Sequence, residues 1–287
     1  MGKEKLEIHQ KQKERLSFID FCADYLGVIS RTDLMTRFGI SDGAASKDLS
    51  LYIKSAPDNL KYDFKSKSHY TTNQFKSLFD FPVTQALKAL STGFGDTLEE
   101  TRLPLIDSKT AIELNRPNPE IVAQVTRAIH LKKTAEIKYH SLTSGKTKRV
   151  IAPFAIINSG LRWHVRAFDR KTNEFKDFTF ARMQQAIRLD EEQKDSESSK
   201  HDVLWNEEIT LELTPHPDNI EEKYSIQMDY GMVKGKIAVK AKKAVAGYLL
   251  RHWNVDCTDD HSLGGAHYQL WLKNSRDIKE DVEVSKD

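Results

Sequence analysis

The chain lacks most of the features that announce a chemistry. Cysteine occurs twice, at Cys22 and Cys257, far apart and among apolar or mixed neighbours. Such usage fits neither a disulfide framework nor a zinc centre, so a reducing cytosol is the expected setting. His140, His164, His201, His216 and His267 have no metal-ligand spacing either. No apolar run approaches the roughly 20 residues that a membrane-spanning helix needs. The opening MGKEKLEIHQKQKER has no apolar core of a signal peptide. Phosphate-cradling glycine motifs are missing too, since Gly93-Phe94-Gly95 lacks the third glycine. His140 and Ser141 adjoin, but neighbours on a strand point to opposite faces and form no nucleophile–base pair. An enzyme, a cofactor, a metal and a membrane partner are therefore not expected. A dominant charge is also lacking: 44 Lys and Arg against 42 Asp and Glu leave +2, which is no global nucleic-acid signature.

What is present reads as several soluble domains. A length of 287 residues suits two or three, and 39% hydrophobic content can fill their cores. Residues 14–26 place Leu16, Ile19, Phe21, Tyr25 and Leu26 at spacings mostly compatible with a helix. Ser30 can cap a second helix, RTDLMTRF, that Gly39 ends, and Ser41 can cap a third, DGAASKDLSLYIK. Helix, glycine turn, helix is the order of a helix-turn-helix. Small residues open the third helix and let it approach the major-groove floor. Ser41, Ala44, Ser46, Lys47 and Ser50, with Arg31 and Thr32 on the preceding helix, are the candidate DNA contacts. Two short alternating stretches, 60–64 and 69–71, then flank Lys65-Ser66-Lys67-Ser68. A hairpin with a Lys-rich tip beside a helix-turn-helix is a wing, and Lys65, Lys67 and His69 join the candidates.

Residues 72–117 read as a connector: 85–90 looks helical, STGFGDT breaks it, and RLPLIDSKTAIELNRPNP is too rich in breakers for one element. An amphipathic helix at 120–132 follows, and this region is a candidate subunit contact. From 132 to 182 the chain turns to short alternating stretches and carries twelve basic against four acidic residues, a local excess of eight that attracts anions. The run 161–168 is the informative one. In a strand, Leu161, Trp163, Val165 and Ala167 share the core face, while Arg162, His164 and Arg166 share the other. Arg149 and Arg182 flank it. Guanidinium groups suit phosphate, and His164 adds a group whose charge is expected to change near neutrality.

The succession IKYHS, KRVIAPFAI, RWHVRAFD and DFTFARM resembles a WYL domain, with Trp163-His164-Val165 in place of the naming triplet. Together with its flanks, the chain resembles the dimeric BrxR or CapW regulators of phage-defence islands. That resemblance implies an α+β protein with an N-terminal winged helix-turn-helix, an Sm-like small β-barrel and a C-terminal α/β extension (WCX). The implied domains are 1–80 for DNA, 81–132 for the connector, 133–192 for the barrel and 203–287 for the extension. It also implies a ligand-site role for Tyr139, Ser141, Arg149, Trp163, His164, Arg166 and Arg182. Between barrel and extension, the acidic, Ser-rich stretch DEEQKDSESSKHD reads as a flexible tether. In the extension, strands are expected at 208–214, 234–239 and 266–272, helices at 218–224 and 244–253, and a frayed tail IKEDVEVSKD.

The reading that unites these features is a cytoplasmic, homodimeric repressor of a phage-defence operon such as BREX. It would bind an inverted repeat in double-stranded DNA and sense an anion, nucleotide or single-stranded nucleic acid at the WYL domain. An accessory module that binds single-stranded nucleic acid or recruits an effector protein is the alternative, and an activator is a third.

Overall fold

The computed structural model describes residues 10–92 and 115–278. These fall into two compact units. The first holds residues up to 138 together with 148–153 and 183–192, and the second holds 139–147, 154–182 and the residues from 193 on. Most of the expected break at STGFGDT, most of the breaker-rich connector and all of the charged tail but Ile278 lie outside the described residues.

The first unit begins with α1 (Gln10–Phe21), which runs into a π-helical turn, Cys22–Leu26. Gly27 closes that turn at a left-handed φ of 78°. Strand β1 (Val28–Ser30), α2 (Arg31–Phe38) and α3 (Asp42–Ser55) follow, then β2 (Leu60–Asp63) and β3 (Ser68–Thr71). Local chemistry sets the boundaries of α2 and α3. The Ser30 hydroxyl accepts from the Asp33 amide while the Asp33 carboxylate accepts from the Ser30 amide at 2.7 Å, a reciprocal cap. Gly39 ends α2 at φ 62°, and the Ser41 hydroxyl accepts from the Ala44 amide to open α3. Strand β3 lies between β1 and β2, so the wing is a three-stranded antiparallel sheet. The sequence reading missed β1, whose three residues are too few to show a period.

Two buried carboxylates hold this unit together. Asp48 on α3 pairs with Arg15 of α1 at 2.5 Å and accepts from Gln12 at 2.9 Å. Asp20 accepts from the Tyr52 hydroxyl, from Ser77 Oγ at 2.6 Å and from the Leu78 and Phe79 amides, each at 3.0 Å. Helix α4 (Val83–Thr92) comes next, and then α5 (Pro119–His130), capped by Asn118 with proline at its first turn. The α5 apolar face, read as a candidate subunit contact, packs within the first unit. Its Thr126 hydroxyl donates to the Tyr25 carbonyl at 2.7 Å, and Arg127 pairs with Asp24 at 2.8 Å.

The central strands are β4 (Lys133–Ser141), β5 (Gly145–Asn158), β6 (Trp163–Asp169), β7 (Glu174–Thr179) and β8 (Met183–Glu192). They form a sheet in the order β7-β6-β5-β4-β8. The sheet is open: among the described residues its edge strands do not pair to close a barrel. One 3-10 turn, Phe180–Arg182, joins β7 to β8.

The stretch expected as a flexible tether is ordered. It forms two 3-10 turns, Asp195–Glu197 and Ser199–His201, and then α6 (Val203–Asn206). Glu197 and Asp202 are buried, and each grips an arginine of the second unit: Arg170 at 2.7 Å and Arg166 at 2.8 Å. Composition signalled solvation, but two specific ion pairs outweigh it.

The C-terminal part adds β9 (Glu208–Pro215), α7 (Lys223–Asp229), β10 (Ile237–Lys242), α8 (Lys243–His252), β11 (Val255–Asp256), β12 (Leu270–Leu272) and α9 (Ser275–Ile278). Its sheet runs β10-β9-β12-β11 over a core that includes Leu211, Leu213, Leu250 and Leu270. Helix α7 lies five residues beyond the expected 218–224. The buried His216 ring accepts from the Asp218 and Asn219 amides, which holds that stretch as a turn. Strand β10 starts late for a similar reason, because Lys234 and Gly235 both take positive φ in a tight turn.

Candidate nucleic-acid interface and anion site

On α3, Ala45, Asp48, Leu49 and Tyr52 are buried while Gly43, Lys47, Ser50 and Lys54 are exposed. The exposed set recurs at three- and four-residue intervals, which is one face of a helix. It carries two cations and small side chains. Ser41 serves as the α3 cap, Ala44 and Ser46 are half-buried, and the Ser50 hydroxyl donates to the Ser46 carbonyl at 2.8 Å. Thr32 is exposed, and Arg31 pairs with Asp42 at 2.9 Å.

At the wing tip, Asp63 accepts from the Lys65 and Ser66 amides and from Ser66 Oγ at 2.7 Å. That carboxylate shapes the turn, holding Lys65 and Lys67 exposed, with Lys67 at φ 55°. His69 sits back in the sheet with its ring 4.8 Å from Tyr62, and burial together with Arg31 lowers its pKa. Phe64 was not singled out by sequence reasoning, yet it is 85% exposed beside the two lysines. The available signal was an aromatic residue next to a turn of polar and basic residues.

The second unit holds the basic strand. In β6 the expected core face is present in Trp163, Val165 and Ala167, all buried. Leu161 was read onto that face, but it lies in the turn before the strand and is 62% exposed. The opposite face is covered rather than open: His164 is 6% exposed and Arg166 4%. Arg166 donates to both oxygens of Asp202 at 2.8 and 3.0 Å and reaches Asp177, its cross-strand partner, at 3.3 Å. Asp177 in turn accepts from the Tyr248 hydroxyl of α8 at 2.9 Å. Arg166, read as a ligand contact, is thus engaged by two carboxylates.

Tyr139 and Ser141 also have partners within the fold. Tyr139 is buried edge-on against Phe178 and accepts from the Thr179 amide, while Ser141 Oγ accepts from the Thr143 and Ser144 amides of the hairpin turn. Arg149 lies half-buried on β5 in the first unit.

The rest of the face converges on His164. Its Nε2 lies 3.3 Å from Ser159 Oγ and its Nδ1 3.4 Å from Thr179 Oγ1. Its ring lies 4.6 Å from that of Tyr248 at an interplanar angle of 32°. Burial first, then Arg162, Arg182 and Arg251, push the imidazole down to about 4. The expected titration near neutrality is therefore replaced by a ring that stays neutral there, because burial and then three guanidinium groups disfavour its charged form. Arg182 Nη1 is buried and has no hydrogen-bond partner among the described residues. Ser159, Tyr248 and Arg251 were not anticipated, since nothing local marks a helix some 85 residues away as a neighbour of this strand.

Comparison with known proteins identifies the family. Residues 11–91 match the BrxR transcriptional regulator winged helix-turn-helix domain, 120–188 the WYL domain, and 208–278 the BrxR transcriptional regulator C-terminal dimerization domain. The DNA-binding transcriptional repressor CapW of Escherichia coli (strain KTE188) is 32% identical over 280 residues, covering 93% of this chain and 90% of that protein. The CapW repressors of Stenotrophomonas maltophilia and Pseudomonas aeruginosa are each 30% identical, covering 96% and 95% of this chain and 94% and 92% of their own lengths. None of these relatives is described as an enzyme. The chain belongs to the CapW family of DNA-binding transcriptional repressors, with winged-helix, WYL and C-terminal dimerization domains.

Proposed function

We propose that this repressor acts in the cytoplasm as a homodimer on an inverted repeat controlling a phage-defence operon, BREX among the candidates, and that an anionic or nucleic-acid ligand at its WYL domain releases it. The observation that carries the DNA reading is the exposed Lys47–Ser50–Lys54 stripe of α3 beside a wing tipped by Lys65, Phe64 and Lys67. The stripe suits the major groove, and the tip suits phosphate or the minor groove.

An exposed apolar face supports the homodimer. Tyr224, Met228, Tyr230 and Val233 cluster on α7 and the turn after it, within the region matching the dimerization domain. Ligand release requires different affinities for the DNA-competent and DNA-incompetent states. The guanidinium groups around His164 supply a site for an anion to make that difference. No helix among the described residues is long and apolar enough to cross a membrane.

The test is a footprint on the DNA upstream of the protein's own gene. A two-fold dimer protects a pseudo-palindrome whose half-sites are separated by about 10–10.5 bp or a multiple of it. Protection of a single asymmetric half-site by a monomer would refute the dimeric operator reading.

A further inference from the structure

We infer that the cleft between the turn preceding β6 and helix α8 is a receptor for one terminal phosphoryl group, built jointly by the WYL and dimerization domains. This rests on the anion-sensing reading above and goes further by naming the group recognised and the helix that takes part. The cleft is lined by Ser159, Leu161, Arg162, His164, Tyr248 and Arg251.

Its size decides what can enter. The volume is about 80 Å³. One water needs roughly 10–15 Å³ on the same measure, so the cleft has room for a small tetrahedral anion. A pocket enclosing a whole nucleotide-sized ligand is on the order of 300–1,000 Å³. The phosphoryl end fits, and the base and sugar stay outside.

Its chemistry selects the same group. Arg162 and Arg251 line the cleft, and Arg182 joins them in acting on His164, with a buried Nη1 that lacks a hydrogen-bond partner among the described residues. Guanidinium forks match the oxygens of phosphate with paired, charge-assisted bonds. Ser159 Oγ, which donates to the Arg162 carbonyl and accepts from its amide, fixes the turn that carries Arg162, and the neutral His164 ring lies beside it. A phosphate monoester carries close to two charges at neutral pH, whereas an internal phosphodiester carries one. A cation-rich cleft of this size favours the monoester.

The cleft also explains how occupancy reaches the dimerization domain. Tyr248 and Arg251 belong to α8, inside the region matching that domain. The turn sits directly on the end of this helix. A Cβ added to Gly160 would lie 2.2 Å from His252 Nδ1, so the turn packs closely against the last residue of α8. An anion held between Arg162 and Arg251 ties the two together.

The experiment uses the full-length protein and four probes: inorganic phosphate, a nucleoside 5′-monophosphate, and a short single-stranded oligonucleotide with a 5′-phosphate or a 5′-hydroxyl. Melting temperature and operator affinity are read for the parent, Arg251→Gln and Tyr248→Phe. The expected result is stabilisation and operator release by the phosphorylated oligonucleotide, at least tenfold more potent than its 5′-hydroxyl twin. Arg251→Gln abolishes that difference while binding operator like the parent, and Tyr248→Phe retains it. If the nucleoside monophosphate is equally potent, the signal is a free nucleotide; if inorganic phosphate is, the signal is phosphate itself. Both results leave the phosphoryl site standing. Equal potency of the two oligonucleotides, unaffected by Arg251→Gln, overturns the cleft assignment and leaves anion sensing in place. Indifference of operator binding to all four probes overturns the sensing reading on which it rests.

Discussion

Replacing Arg166 separates structure from sensing most sharply. Its guanidinium lies between two carboxylates, Asp202 with both oxygens engaged and Asp177 at 3.3 Å, and all three side chains are nearly inaccessible. Arg166→Met keeps much of the volume and removes the charge that compensates the pair. Breaking a buried ion pair costs about 3–5 kcal/mol, because the stranded charge loses its partner without regaining water. For a unit of this size, at roughly 2–4 °C per kcal/mol, that is a fall of about 10 °C in melting temperature. Asp202→Asn leaves the Arg166–Asp177 pair and an amide oxygen that still accepts one bond, so about 1–3 kcal/mol is expected.

Asp177→Asn is the mildest of the three. Burial is the largest influence on Asp177 and raises its carboxyl above the usual range, while Arg166 and the Tyr248 hydroxyl pull the other way. A raised carboxyl makes its full contribution to stability in acid and loses it as pH rises through the raised value. Removing that charge should therefore cost less than about 1 kcal/mol near neutrality and flatten the acid side of the stability profile. Thermal and urea melts at several pH values read the series. An Arg166→Met protein that melts within about 2 °C of the parent but no longer responds to ligand would refute this account and return Arg166 to the ligand site.

Lys65→Ala and Lys67→Ala should weaken operator and random duplex alike and lower the slope of log affinity against log salt by about one each, as lost phosphate contacts do; a change confined to the operator would count against them as phosphate contacts. Lys47→Ala should reduce discrimination between operator and random DNA by roughly 1–3 kcal/mol, and an unchanged ratio in competitive binding would displace it from the reading face. Gly160→Ala must accept both a φ of 79° and a clash with His252, so a loss of at least about 1–2 kcal/mol is expected from the backbone alone, with a parental melting temperature refuting the close packing. The depressed His164 pKa means that its neutral form stabilises the fold; that contribution is present above its unfolded value near 6.5 and is lost as pH falls toward about 4. His164→Gln should flatten the stability profile across that window, and a slope between pH 6.5 and about 4 that the variant leaves unchanged would refute the buried, neutral ring.

The DNA-binding region was legible because its signals are local. Ser30, Gly39 and Ser41 mark helix ends through bonds to amides and carbonyls a few residues away, and both expected helices lie within one residue of their observed bounds. The core face of β6 was legible too, since strand alternation reports that one side is apolar. It could not report what covers the other side. His164 and Arg166 look like half of an open platform until Tyr248, Asp177 and Asp202 are brought against them, and two of those three lie more than 30 residues downstream. The tether failed in the same way, because acidic and Ser-rich composition cannot show that Glu197 and Asp202 will each meet a buried arginine.

The same acidic residues decide which cations remain for a ligand. Composition credits the 132–182 region with an excess of eight positive charges, but those charges are not equivalent once folded. Arg166 and Arg170 are neutralised by Asp202 and Glu197, residues beyond that region. Arg162 and Arg182 pair with no carboxylate among the described residues, and their field falls on His164. The former tether therefore sorts the arginines, binding two into the scaffold and leaving two whose charge bears on His164. Its effect on anion binding is then opposite to what net charge implies. Glu197→Gln removes a negative charge, yet its partner Arg170 does not line the cleft, so it should not raise affinity for a phosphorylated ligand. Isothermal titration of that variant decides the point, and a clear gain in affinity would show that bulk charge rather than the sorted pair attracts the anion.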